Sequence, residues 1–221
     1  MPERPHTGDD DGVTASRPPA FARDPATARY YEARADEYDD WYEGRGRFAD
    51  RDRPGWMAEV DRLVAFVREL APARTLDVAC GTGFLTRHLR GPTVGLDRSA
   101  AMLDVTRRRI GGPVLVADAL TLPFADGAFD RVLTGHFYGH LPPAERAAFL
   151  GEARRVAGEL IVVDSARRSG VEAEQWQVRV LNDGSRHEIF KRYLGAGQLA
   201  AEIGGEVALD STWFVAARAA R

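Results

Sequence analysis

Cysteine occurs once, at Cys80, so the chain can close no internal disulfide and can build no thiolate zinc cage. Its stability has to come from a packed core. Lysine also occurs once, at Lys191, and every other cationic side chain apart from histidine is arginine. Thirty basic residues stand against 33 acidic ones, for a net charge of −3, which lacks the electrostatic footprint that draws a protein onto phosphate backbones. Nucleic acid is therefore not the expected partner. There is no apolar run of about 20 residues to span a membrane, and none of about 7–15 near the start to act as a secretory leader, so a cytoplasmic location is expected. No internal repeat is visible. With 44% hydrophobic residues among 221, the chain is long enough to bury the core of one ordinary domain.

The first twenty residues, MPERPHTGDDDGVTASRPPA, have no apolar face and read as a disordered tail (1–20), leaving 21–221 as one domain. Within 26–43 the residues Tyr30, Tyr31, Tyr38, Trp41 and Tyr42 recur at helical spacing, and Trp56, Val60, Leu63, Val67 and Leu70 do so again before Pro72. These two helices make a helical cover over 26–72. From 74 to 165 short apolar runs alternate with helical patterns: TLDVA at 75–79 with a helix opening near Gly83, TVGL at 93–96 with a helix over 99–110, and PVLVA at 113–117. FDRVLTG at 129–135 with a helix over 143–156 and ELIVVDS at 159–165 complete the series. Five strands interleaved with helices predict an α/β fold, a doubly wound, Rossmann-like, mostly parallel sheet. Asn182-Asp183-Gly184 between two β-rich runs predicts a hairpin over 174–193, followed by a short helix at 195–203 and an antiparallel C-terminal strand.

The chemistry concentrates where the strands end. TLDVACGTGF at 75–84 is a strand feeding a Gly-rich turn, in which Gly81 and Gly83 allow positive φ and close approach of a ligand to the main chain. Asp97, at the end of the second strand and followed by Arg98, is placed to accept hydrogen bonds from both hydroxyls of a ribose, a task compatible with capping the next helix. Asp118 and Ala119 follow the third strand, where a carboxylate or its neighbouring amide can meet the amine of an adenine. A dinucleotide fold usually has a third glycine where Thr86 stands, which disfavours NAD.

The order of these motifs from 75 to 141 resembles the class I methyltransferases that use S-adenosylmethionine (SAM) on small molecules, including the menaquinone-biosynthesis-like group. The resemblance implies SAM as cofactor. Asp77 and the backbone of 79–83 (Ala79, Cys80, Gly81, Gly83) would hold its methionine end, Asp97 its ribose, and Asp118 with Ala119 its adenine. Thr134 would line the methyl group, and Ala79 replaces the first glycine of many members. Tyr31 of the aromatic helix would help to cover the cofactor, and Cys80 reads as a packing residue, with no adjacent histidine to activate it.

Methyl transfer is an in-line displacement that mainly needs alignment and exclusion of water. His136, Tyr138 and His140, just beyond the fourth strand, are the candidate catalytic side chains, and Lys191 or Arg192 on the hairpin is a candidate contact for an anionic acceptor. The implied partner is a small-molecule acceptor, with no metal, for a monomer or homodimer. The alternative is a non-catalytic nucleotide- or SAM-binding module acting through a partner, which needs no acceptor void. If Asp97 binds ribose, Asp97→Ala weakens cofactor binding by about 1–3 kcal/mol with little change in fold; unchanged affinity by calorimetry would remove Asp97 from the site.

Overall fold

The computed structural model describes residues 21–220; the predicted tail at 1–20 lies outside them. Strands β1 (Thr75–Val78), β2 (Thr93–Asp97), β3 (Val114–Val116), β4 (Phe129–Gly135) and β5 (Ala157–Ser165) are joined by β8 (Glu206–Asp210) and β9 (Phe214–Ala220) in one sheet. Its order is β3-β2-β1-β4-β5-β9-β8. The first five strands pair in parallel, and β9 runs antiparallel between β5 and β8. The fold is thus α/β, doubly wound and mostly parallel, with an antiparallel C-terminal strand.

β1 is buried along its whole length because it lies between β2 and β4, covered on both faces. Leu76 and Val78 share one face with Leu96 and Val132 and with Phe149 of α5 (Pro143–Val156). The other face holds Val163 and Phe214 against Leu63 and Val67 of α3 (Trp56–Glu69). Strand order reverses between β1 and β4, so their loops part at the carboxyl edge and leave a crevice there.

Three local expectations change. The aromatic segment 26–43 is not one helix but α1 (Pro25–Ala33), a 3₁₀ turn at Ala35–Glu37 and α2 (Asp40–Glu43). Tertiary ties hold the broken segment: Asp39 accepts from the Thr82 hydroxyl and Tyr42 stacks flat on Phe84 at 3.8 Å, while buried Arg34 donates to the Tyr30 hydroxyl at 2.6 Å and lies over the Tyr38 ring. No α-helix follows Gly83, only a 3₁₀ turn at Thr86–His88, because Gly81 and Gly83 both take positive φ and Pro92 closes the segment after nine positions. β8 was not expected; Val207 and Leu209 follow the Gly204-Gly205 turn, and a register shift interrupts their pairing with β9.

The hairpin forms as expected from β6 (Glu174–Val180) and β7 (Arg186–Arg192), turning at Gly184 with φ +85°. It stands apart from the main sheet, and the Asn182 amide donates to Glu37. α4 (Ala100–Arg109) follows β2, and α6 (Ala196–Ile203) precedes β8.

The N-terminal cover is tied down by acids. Glu32 of α1 accepts from the Ser99 hydroxyl at 2.6 Å and the Ala101 amide at 3.1 Å, at the start of α4. Asp39 accepts from the buried Thr82 hydroxyl and pairs with Arg109. Asp39→Ala is expected to lower the urea unfolding free energy by about 1–3 kcal/mol, the cost of leaving a mostly buried donor unpaired. An unchanged midpoint would assign the docking of the cover to its aromatic contacts alone.

Candidate functional site

At the carboxyl edge, β1, β2 and β4 end beneath α1, and a cavity of about 690 Å³ opens between sheet and cover. Asp97 forms part of its wall. One carboxylate oxygen accepts from the Gly81 amide and the other from the Ser99 amide, both at 2.9 Å, so one side chain joins the Gly-rich loop to the start of α4. Burial raises its pKa, and the backbone donors oppose that rise. Each oxygen keeps a second lone pair for a hydroxyl donor. Ser99 itself caps α4 by accepting from the Met102 amide. Because Asp97 anchors two loops, Asp97→Ala removes those anchors as well as any contact to a ligand, so its effect is not confined to binding.

Gly81, Ala79, Ala119, Arg98 and Tyr31 also line this cavity. Ala79 has φ +57°, the left-handed region that favours glycine, which explains why a small residue is needed there. Asp77 lies just behind, 2% exposed, accepting from the Thr86 hydroxyl at 2.6 Å through one oxygen. Its other oxygen, Oδ1, is buried with no partner among the described residues, and burial pushes its pKa up to about 7. Thr86 thus orients Asp77 where a dinucleotide fold would have a glycine.

Five expected residues do not line the cavity, Asp77 and four others. Cys80 packs against Gly95, and Gly83 against Thr106. Thr134 spends its hydroxyl on the Val78 carbonyl at 2.7 Å. Asp118 accepts from the Leu120 amide and faces Arg23 at 3.2 Å, holding the loop whose next residue, Ala119, reaches the wall. Leu96, Met102, Gly135 and Phe137 line it without having been singled out.

A second cavity, of about 1060 Å³, lies between the cover and the hairpin. It shares three wall residues with the first: Tyr31, Tyr38 and His136. His136 has φ +58° and its ring is edged by Trp41 at 5.0 Å and Phe214 at 5.6 Å. Both ring nitrogens are shielded and hydrogen-bond nothing among the described residues. Burial pushes its pKa down to about 3, against the pull of Asp164, so the imidazole is neutral near pH 7. Burial pushes the Tyr38 phenol up to about 12 and raises Tyr31 too, so both stay protonated.

His140 also lines the second cavity; its Nδ1–H donates to the Phe190 carbonyl and its ring stacks on Phe21 at 4.5 Å. That bond leaves Nε2 as an acceptor. Tyr138 lines neither cavity. Its ring is in the core and its hydroxyl meets Glu202 at 3.1 Å, because the three residues per turn of the 3₁₀ segment Tyr138–His140 aim Tyr138 and His140 in different directions. The expected catalytic position of Tyr138 is corrected accordingly. Arg192 is engaged with Glu174 and Glu202, and Lys191 with the fully buried Asp164, so neither hairpin cation is a free anion contact.

Residues 76–159 match the family model described as a methyltransferase domain. The chain is 34% identical over 112 residues to the demethylmenaquinone methyltransferase of Thermotoga maritima, covering 47% of this chain and 48% of that protein. It is 40% identical over 116 residues to the demethylmenaquinone methyltransferase of Thermus thermophilus, covering 47% and 52%. The chain thus spans about half the length of these curated relatives. Over the whole fold it is similar to DhpI, solved as a DhpI–SAM–HEP complex, with a TM-score of 0.66, 26% identity and coverage of 87% of this chain and 95% of that one. The sheet order, the Asp97 crevice and these matches converge on one similarity: residues 76–159 match a methyltransferase domain, and the fold is that of DhpI, which was solved with S-adenosylmethionine.

Proposed function

We propose that this chain transfers a methyl group from S-adenosylmethionine to a small-molecule acceptor, with the donor in the Asp97 cavity and the acceptor in the cavity beneath the hairpin. The observation that carries the reading is the junction of the two cavities at Tyr31, Tyr38 and His136. A binding module without catalysis needs no second concavity beside the first; one that shares its wall with the Asp97 cavity favours the enzyme.

In this reading Asp97 accepts from the ribose hydroxyls, and Asp77 Oδ1 with the 79–83 backbone meets the methionine end. Ala119, Leu96 and Met102 give the adenine an apolar slot. When bound, the cofactor supplies a methyl group on a sulfonium sulfur, an electrophile that needs an aligned nucleophile more than acid or base help. The aromatic walls of Tyr31, Tyr38 and Trp41 exclude water from the junction. His136, neutral and with unused nitrogens, accepts the hydrogen bond of an acceptor that arrives protonated and so orients it, while the two phenols remain donors. His140, held by Phe190, shapes the wall and keeps Nε2 as an acceptor.

Once an acceptor screen with labelled donor has given a substrate, His136→Ala should lower kcat by about a hundredfold or more while sparing cofactor affinity. The neutral form of His136 is lost only as pH falls through about 3, so its contribution stays level from about pH 5 to 8. An unaltered rate in the variant, or an acid limb near pH 6.5 that vanishes with it, would contradict this account of the residue.

A further inference from the structure

The acceptor cavity is unbalanced in charge. Its walls carry Arg34, Arg51, Arg53, Arg168, Arg179 and Lys191 against one carboxylate, Glu37. Lys191 is neutralised by Asp164, and Arg53 donates to the carbonyls of Trp41 and Phe48, while Arg168 lies over the Trp213 ring at 4.1 Å. Arg34 and Arg179 differ from these. Arg34, only 5% exposed, donates to the Tyr30 hydroxyl, and half-buried Arg179 donates to Gln177 Oε1 at 2.7 Å. Among the described residues neither guanidinium meets a carboxylate within ion-pair distance.

Holding two guanidiniums without a counter-charge in a partly closed, aromatic-walled space costs desolvation that the Tyr30 and Gln177 oxygens and the rings around Arg34 offset only in part. A ligand oxyanion returns it, and the planar donor fork of arginine suits carboxylate and phosphate alike. The two side chains come from distant parts of the chain, Arg34 after α1 and Arg179 from β6, and converge on one cavity. Glu37 does not cancel them, because it is occupied with the Asn182 amide at the hairpin turn.

We infer that the methyl acceptor is a small oxyanion, a carboxylate or a phosphate-type acid, whose anionic group is held by Arg34 and Arg179 in the cavity between cover and hairpin. This rests on the reading of that cavity as the acceptor site. Arg34 and Arg179 replace the hairpin pair Lys191 and Arg192 as its anion contacts. They act on binding, so their loss raises the acceptor KM more than it changes the chemical step.

Trp41, Trp56 and Trp213 all line the cavity and report on its occupancy. Tryptophan fluorescence would be followed while inorganic phosphate, benzoate and neutral benzamide are titrated into the full chain, with and without saturating S-adenosylhomocysteine. Saturable binding of phosphate or benzoate, at least tenfold tighter than benzamide, is expected, and which of the two binds separates a phosphate from a carboxylate acceptor. Arg34→Gln and Arg179→Gln, made separately so that a folding defect in one leaves the other, should each weaken that binding at least tenfold. Both should retain affinity for S-adenosylhomocysteine, and Arg34→Lys should recover part of the loss. Equal binding of benzamide and benzoate, absence of anion binding, or anion binding indifferent to both substitutions would overturn the inference. Failure of S-adenosylhomocysteine to bind the unsubstituted protein would instead overturn the methyltransferase reading beneath it.

Discussion

The carboxylate of Asp97 holds the site together. By accepting from the Gly81 and Ser99 amides it fixes the loop after β1 against the start of α4, so the crevice made by the reversal in strand order has rigid lips. Glu32 brings the cover to the same helix start, and Asp39 ties the cover to Thr82 in the same loop. Three acids, from β2 and the cover, thus set the width of the opening. Without them the Gly-rich loop, with positive φ at 79, 81 and 83, has little of its own to hold a shape.

The site stores unfavourable features that a bound molecule can relieve. Asp77 is buried with an unpartnered oxygen and a pKa near 7, and His136 sits in the left-handed region with both nitrogens unused. Arg34 and Arg179 lack counter-charges among the described residues. Elsewhere among the described residues, Asp164 accepts from Lys191 and from the Gly139 amide, and Arg131 meets Glu159. Unpaired polarity therefore gathers along the two cavities, as expected of preorganised binding surfaces.

The sheet was legible because five apolar runs alternate with helical patterns, and parallel strands buried on both faces leave that mark. Asp97 and the glycine loop were legible because their chemistry is local: a strand end, a turn, an acid. The helix expected after Gly83 was not there, since the positive φ of Gly81 and Gly83 and the stop at Pro92 leave only a 3₁₀ turn, and the aromatic segment is broken where Asp39 and Tyr42 are tied to the glycine-rich loop. Tyr138 was misplaced because one residue decides which side of a 3₁₀ turn a ring takes. Arg34 and Arg179 could not be picked out among so many arginines; only convergence from β6 and the end of α1 distinguishes them.

The central claim is that the Asp97 crevice is a site for S-adenosylmethionine. Calorimetric titration of the purified chain with S-adenosylmethionine, S-adenosylhomocysteine and NADH in parallel tests it most directly. The account predicts saturable one-site binding of the first two and none of NADH; binding of NADH alone, or of none of the three, would contradict it.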